Sequence, residues 1–87
     1  MRILKEVKYK FLYIFKIINI SVNSLRLDNL VSELLKTSRK IAQEKIEQEK
    51  VFVNYKAETK NTKIIKVNDI LVIRRNGKYI IEELDKE

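Results

Sequence analysis

The sequence of 87 residues contains no cysteine, no histidine and a single glycine, Gly77. Without cysteine the chain forms neither a disulfide bond nor a thiolate zinc site. Without histidine it lacks the side chain that most often moves protons at neutral pH and most often binds metals. One glycine cannot make a glycine-rich phosphate-binding loop. These absences disfavour an enzyme, and we expect no catalytic residue, no metal, no cofactor and no small-molecule substrate.

Long hydrophobic stretches are also missing. The longest, residues 11–20, is interrupted by Lys16 and Asn19. It is far shorter than the roughly 20 apolar residues that a membrane helix needs, and it lacks the cleavage pattern of a signal peptide. We therefore expect no membrane partner and a cytoplasmic location, with which the lack of cysteine is compatible.

Positive charge is in excess, with 19 lysine and arginine residues against 12 acidic ones and a net charge of +7. A chain of this length forms one domain with a modest core. A basic domain favours anionic partners, nucleic acid before an acidic membrane surface. Most of the excess lies in residues 1–25, whereas residues 26–87 are nearly balanced. The positions of individual bases therefore matter more than their total.

Residues 7–22 have the composition of a β-strand. Aromatic and β-branched residues alternate with lysine from Val7 to Phe15, although Leu12 and Ile14 break the pattern. Alternation resumes between Ile18 and Val22, and a period of two predicts a strand. We interpret residues 1–22 as a lead-in strand region. It could be a sheet edge, the remnant of a preceding domain, or a contact for self-association.

Two amphipathic helices are predicted next. Leucine and valine recur at helical spacing between Leu27 and Leu35, which predicts a helix over about residues 25–36 with Ser24 as its N-cap. A second helix is predicted over about residues 38–48, capped by Thr37 or Ser38, with Ile41 and Ala42 facing the core. The short connection requires a sharp turn between the helices.

Short strands and turns account for residues 51–81. Strands are predicted at 51–53, 70–73 and 79–81, with turns at 54–56 and 68–69. Asn76 and Gly77 predict a tight hairpin over residues 75–78, because this pair supplies positive φ angles. We expect an α+β fold in residues 23–83, with a two-helix hairpin on a small, mostly antiparallel sheet plus an extra N-terminal strand. Residues 84–87 form a charged tail.

Bases that could contact phosphate occur at three places. Arg26 begins the first helix, Ser38-Arg39-Lys40 begins the second, and the hairpin carries Arg74, Arg75 and Lys78. Free N–H groups and the helix dipole make a helix start an anion site, and a hydroxyl and two cations add donors. An ordinary N-cap followed by solvated bases would have the same sequence, as would a charged turn. Both interpretations remain open at this point.

An ordered set of residues runs through the two predicted helices and the strands that follow: Arg26-Leu27-Asp28, Ser38-Arg39, Ala42, Ile46, Val51-x-Val53-Asn54, Asp69-Ile70 and Arg74-x-x-Gly77-Lys78. This set resembles the RNA-binding domain named after ribosomal small-subunit protein four. The segment from Ile20 to Asp28 is most similar to the C-terminal domain of the bacterial YlmH-like family. The resemblance implies binding of structured RNA, either ribosomal RNA or tRNA on the ribosome. It further implies a role in translation or ribosome-associated quality control.

The resemblance also implies which residues face RNA. They are Arg26, Ser38, Arg39, Lys40, Gln43, Lys56, Arg74 and Lys78. One residue departs from the family pattern, because Glu49 stands where the family usually has glycine after the second helix. In a left-handed helix cap a residue other than glycine costs about 1 kcal/mol.

Two other functions compete with RNA binding. The aromatic N-terminal strand is compatible with a protein-interaction or oligomerisation module. Two helices joined by a sharp turn are compatible with binding to double-stranded DNA, but Glu44, Glu47 and Glu49 in and after the second helix would face phosphates there. RNA binding therefore remains the leading expectation.

Overall fold

The computed structural model describes residues 1–83, and the charged tail expected at residues 84–87 lies outside them. Two helices pack on a six-stranded antiparallel sheet, which confirms the α+β prediction. The elements are β1 (Arg2–Tyr9), β2 (Leu12–Asn19), α1 (Leu27–Leu35), α2 (Arg39–Glu47), β3 (Val51–Val53), β4 (Lys56–Ala57), β5 (Ile70–Ile73) and β6 (Gly77–Glu83). The strand order in the sheet is β2-β1-β6-β5-β3-β4. Neither helix is long and apolar enough to cross a membrane.

The N-terminal region is a β-hairpin, so the expectation of one strand there was wrong. The break in alternation at Leu12 and Ile14 marks a reversal of the chain, and Lys10 takes a φ of 55° in the turn. Beyond the turn β2 pairs with β1, from Tyr9 opposite Leu12 to Arg2 opposite Asn19. β1 also pairs with β6. The hairpin therefore extends the sheet of the main domain.

The core lies between the helices and one face of the sheet. Neighbouring strands place apolar residues side by side on this face, as where Leu71 of β5 lies between Val53 of β3 and Tyr79 of β6. β1 adds Ile3, which is fully buried opposite Ile81. The helices contribute Leu27, Leu30, Val31, Ala42 and Ile46.

The N-cap of α1 differs from the prediction, whereas the N-cap of α2 agrees with it. Ser24 does not cap α1, because Arg26 is the N-cap and the Ser24 hydroxyl accepts from the Arg26 N–H at 3.2 Å. Ser38 caps α2, and its hydroxyl accepts from the Ile41 N–H at 3.2 Å. Ile41 itself is 44% exposed. The expectation that Ile41 faces the core was therefore wrong, and the buried face of α2 consists of Ala42 and Ile46.

Several non-glycine residues adopt positive φ at helix ends and turns. Glu49, at φ 59°, closes α2 through hydrogen bonds from its own N–H to the Ile46 carbonyl and from the Lys50 N–H to the Lys45 carbonyl. This is the left-handed cap expected where the family has glycine. In the β5–β6 hairpin Arg75 and Gly77 have positive φ, whereas Asn76 does not. That turn is therefore one residue longer than the predicted two-residue type.

Candidate nucleic-acid interface

The two helix starts differ in whether their N–H groups are available to a ligand. At the start of α1, the Leu27 N–H donates to the Lys63 carbonyl at 2.8 Å and the Asp28 N–H to the Asn61 carbonyl at 3.1 Å. Both N–H groups are therefore already hydrogen-bonded to the loop that precedes β5. A ligand at the α1 start would therefore have to contact side chains.

The start of α2 is open. Ser38 satisfies the N–H of Ile41, while no described group accepts from the N–H groups of Arg39 and Lys40. The predicted contact residues of this turn, Ser38, Arg39 and Lys40, are all exposed. Backbone donors, two cations and the positive end of the helix dipole thus face solvent together. The geometry suits a phosphate group.

Asp28 connects the start of α1 to α2. Its side chain is fully buried and accepts four hydrogen bonds. Arg26 donates two, from Nε at 3.2 Å and Nη2 at 2.8 Å, while Gln43 Nε2 donates at 2.9 Å and the Asn29 N–H at 2.8 Å. Burial alone would raise the pKa of Asp28. The hydrogen bonds from Gln43, Arg26 and Asn29 outweigh burial, so that its pKa lies below the ordinary value.

This arrangement brings three of the sequence-predicted site residues into one place. Arg26 and Gln43 share Oδ2 of Asp28, although they lie on different elements. Arg39 lies one helical turn before Gln43 and lines a cleft with Asn29 and Ser32 of α1. The side chain of Arg26 is still 35% exposed, so its remaining donors can reach a ligand. Asp28 therefore links the two helix starts, and Arg39 lies on the same side of α2 as Gln43.

A second basic group lies beside the α1 start. Lys56, Lys63 and Lys66 are exposed and line a shallow pocket, which also contains the acids Glu58 and Asp69. Lys63 lies close to the start of α1, because its carbonyl accepts a hydrogen bond from the N–H of Leu27, the residue after Arg26. Lys63 and Lys66 were not among the predicted site residues. They belong to a polar segment whose only sequence signal was charge, and its placement depends on backbone bonds to residues 25–28.

Comparison with protein-family models matches residues 25–71 of the chain to the S4 domain. The match covers more than half of the chain. The chain belongs to the S4 domain family. S4 domains are RNA-binding modules rather than catalytic ones. No curated protein matches the chain.

The matched residues of the S4 domain include the candidate site on the helices but exclude β1, β2 and β6. Arg26, Ser38, Arg39, Lys40, Gln43 and Lys56 lie inside the match, whereas Arg74 and Lys78 lie beyond it. The N-terminal hairpin therefore lies outside the residues matched to the family.

The two predicted contacts outside the match are separated from the helix starts. Arg74 is exposed in the β5–β6 turn, where its N–H donates to the Lys50 carbonyl at 2.9 Å. Lys78 neighbours the buried Tyr79 on β6, so it projects from the sheet face opposite the helices. There it lies 3.4 Å from a Glu6 carboxylate oxygen and 5.3 Å from the ring centroid of Tyr55. Lys78 is therefore not brought together with Arg26 and Arg39.

Proposed function

We propose that this S4 domain binds structured RNA through a surface made by the α1 start, the first turn of α2 and the Lys56–Lys63–Lys66 group. The observation that carries the proposal is the shared contact of Arg26 and Gln43 with Asp28, because it holds the two helix starts in one orientation. Beside them the open start of α2 offers unused backbone donors with Arg39 and Lys40.

The RNA class follows from the types of donor. Backbone N–H groups, arginine and lysine bind phosphate oxygens, and the surface has no exposed aromatic platform within α1 or α2 on which a single-stranded base could stack. Such a surface recognises backbone and shape more than sequence. We propose A-form-containing ribosomal RNA, or tRNA on the ribosome, as the ligand.

The cellular role is proposed by analogy with the resemblance to the YlmH-like family. It would place the chain in the cytoplasm, associated with the ribosome, in translation or in quality control of stalled ribosomes. Crosslinking in cells followed by sequencing of the bound RNA tests this assignment. Enrichment of ribosomal RNA or tRNA would support it, whereas recovery of messenger RNA alone would contradict it.

Charge reversal at Arg39 tests the surface itself. Fluorescence anisotropy with an RNA hairpin should show that Arg39→Glu weakens binding about tenfold at low salt, since one phosphate contact is replaced by repulsion. Lys8→Glu is the matched control, because it makes the same change of charge on β1, in the added hairpin. Equal effects of the two substitutions would contradict the assigned surface.

The salt dependence and the choice of nucleic acid complete the test. With about four to five phosphate contacts, the logarithm of the binding constant should fall with the logarithm of salt concentration at a slope of roughly −3 to −4. A DNA duplex of the same sequence should compete poorly. Equal competition by DNA would favour the double-stranded DNA alternative, in which α2 would have to accommodate Glu44 and Glu47 near phosphates.

A further inference from the structure

β2 is an edge strand that lacks the usual protection against pairing with another chain. Its large apolar residues are Leu12, Tyr13, Ile14, Phe15, Ile17 and Ile18, and Lys16 is its single charge. Five of these apolar side chains are about half exposed or more, at 49–67%. Edge strands are normally short, bulged or rich in charge or proline. β2 is long, and its register with β1 runs without a shift.

The backbone of β2 shows which groups face the open edge. Ile20, which continues the ladder, donates its N–H to the Met1 carbonyl at 3.0 Å and accepts from the Met1 amine at 2.8 Å. In an antiparallel pair successive residues direct their N–H and C=O groups alternately toward and away from the partner strand. The groups of Tyr13, Phe15 and Ile17 therefore point away from β1. In the described sheet β1 is the one neighbour of β2.

We propose that a second copy of this chain pairs with β2, antiparallel and about a two-fold axis at Phe15. This register overlaps residues 12–18 of both copies and joins outward-facing groups, with Tyr13 opposite Ile17 of the other copy. It places Lys16 opposite an isoleucine, Ile14. The symmetric register of similar overlap centred on Lys16 would place two ammonium groups opposite each other, which is destabilising.

The sheet favours a closed dimer over a fibre. Its other edge is β4, which has only Lys56 and Ala57 and cannot template a long ladder. Since β2 is the long edge of the described sheet, a two-fold pairing uses it in both copies and leaves nothing to propagate. A second copy suits this edge because it offers a strand of the same length in a register that opposes no like charges.

The proposal makes the expectation of self-association specific and does not rest on RNA binding. The two functions respond to salt in opposite ways. Lys16 lies diagonal to Lys16 of the other copy and both copies carry a net charge of +7, so salt screens their repulsion and strengthens pairing. Salt weakens RNA binding, because counterions released into a more concentrated salt solution gain less entropy. A failure of one proposal is thus visible separately from a failure of the other.

Sedimentation velocity on the nuclease-treated full chain tests the pairing. We expect a dimer whose fraction grows with protein concentration, as for a small transient interface, and grows further at higher salt. Phe15→Lys should give a monomer because two ammonium groups meet on the axis. Its fold should be retained because Glu6 lies opposite on β1. Ile41→Lys, an equal change at an exposed residue of α2, should remain a dimer.

The absence of natural cysteine permits a direct test of the register. Phe15→Cys should form a disulfide-linked dimer under mild oxidation, because directly opposed strand residues lie within disulfide range. Tyr13→Cys and Ile17→Cys should crosslink with each other in a mixture and much less with themselves. A wild-type monomer at all concentrations and salts would overturn the proposal. So would crosslinking at Phe15→Cys no faster than at Ile41→Cys.

Discussion

Replacement of Asp28 is the sharpest test of the connection between the helices. In Asp28→Ala a fully buried carboxylate that accepts four hydrogen bonds is removed. Breaking a buried ion pair costs about 3–5 kcal/mol. The Arg26 side chain is 35% exposed and can be rehydrated, which reduces the expected loss to about 2–3 kcal/mol. For a domain of this size the melting temperature should fall by about 10–20 °C.

Urea denaturation followed by circular dichroism gives the free energy of unfolding. Gln43→Ala should cost about 1 kcal/mol in the natural background and close to nothing in the Asp28→Ala background, because its partner is already absent. Glu44→Ala, which removes an exposed acid from the same helix, should stay within about 0.5 kcal/mol. If Gln43→Ala has the same cost in both backgrounds, Asp28 does not couple the helices.

The RNA affinity of Asp28→Ala shows whether Asp28 acts by positioning Arg26 and α2 or only through its negative charge. Asp28→Ala removes a negative charge next to Arg26, so electrostatics alone predicts tighter RNA binding. If Asp28 positions the surface, binding weakens instead, because Arg26 and α2 lose their common anchor. The measurement is made below the melting temperature of the variant. An affinity equal to or above that of the natural chain would refute the positioning role of Asp28.

Three further predictions follow from individual residues. Glu49→Gly should raise the free energy of unfolding by about 1 kcal/mol, since Glu49 holds a φ of 59° that glycine adopts without strain. The control Gln48→Gly changes a residue at φ −85° and should not stabilise the fold. Thermal melts compare the two variants. Because the pKa of Asp28 is lowered in the folded chain, its contribution to stability is complete above the ordinary pKa of an aspartate and is lost as the pH falls through the lower folded value. Urea midpoints across this acid range should therefore vary less with pH in Asp28→Asn. In RNA titrations Lys63→Ala should weaken binding more than Lys78→Ala, because only Lys63 lies beside the helix starts, and the reverse order would contradict the surface.

The elements that sequence predicts best are those whose signal is local. The helical spacing from Leu27 to Leu35 coincides with the observed helix, and the hydroxyl of Ser38 forms the expected cap. The left-handed residue at Glu49 was located from the family pattern. For the helix and its cap, one or two turns of chain contain the information. The helix period and the capping hydroxyl, which accepts from the Ile41 N–H, need no knowledge of the rest of the fold.

The parts that were missed depend on contacts between distant residues. The N-terminal region was predicted as one strand because both strands of a hairpin are apolar and β-branched. The reversal occurs at Lys10 and Phe11 without a typical turn pair. Ser24 has the chemistry of an N-cap, but α1 begins later because the Leu27 and Asp28 N–H groups pair with the loop at residues 61–63. No local pattern reveals that pairing.

The candidate site was predicted by charge type but not by arrangement. The sequence motif contains Asp28, but no local pattern indicates that its carboxylate joins Arg26, two positions away, to Gln43, which lies 15 positions along the sequence. The prediction grouped Lys78 with the helix starts, but strand alternation turns it to the other face of the sheet beside Glu6. Which face a base occupies depends on strand register, and register is set by the core.

The bases on the proposed surface differ in how much freedom they lose on binding. Arg26 is already held by two hydrogen bonds to Asp28, so contact with RNA orders it little further. Lys56, Lys63 and Lys66 are exposed on flexible stems, and each loses side-chain entropy when a phosphate fixes it. Loosely held lysines attract most polyanions about equally. A fixed arginine beside the open α2 start can match only phosphates at one spacing, so we expect discrimination between RNA shapes to depend on Arg26 and affinity to depend on the lysines.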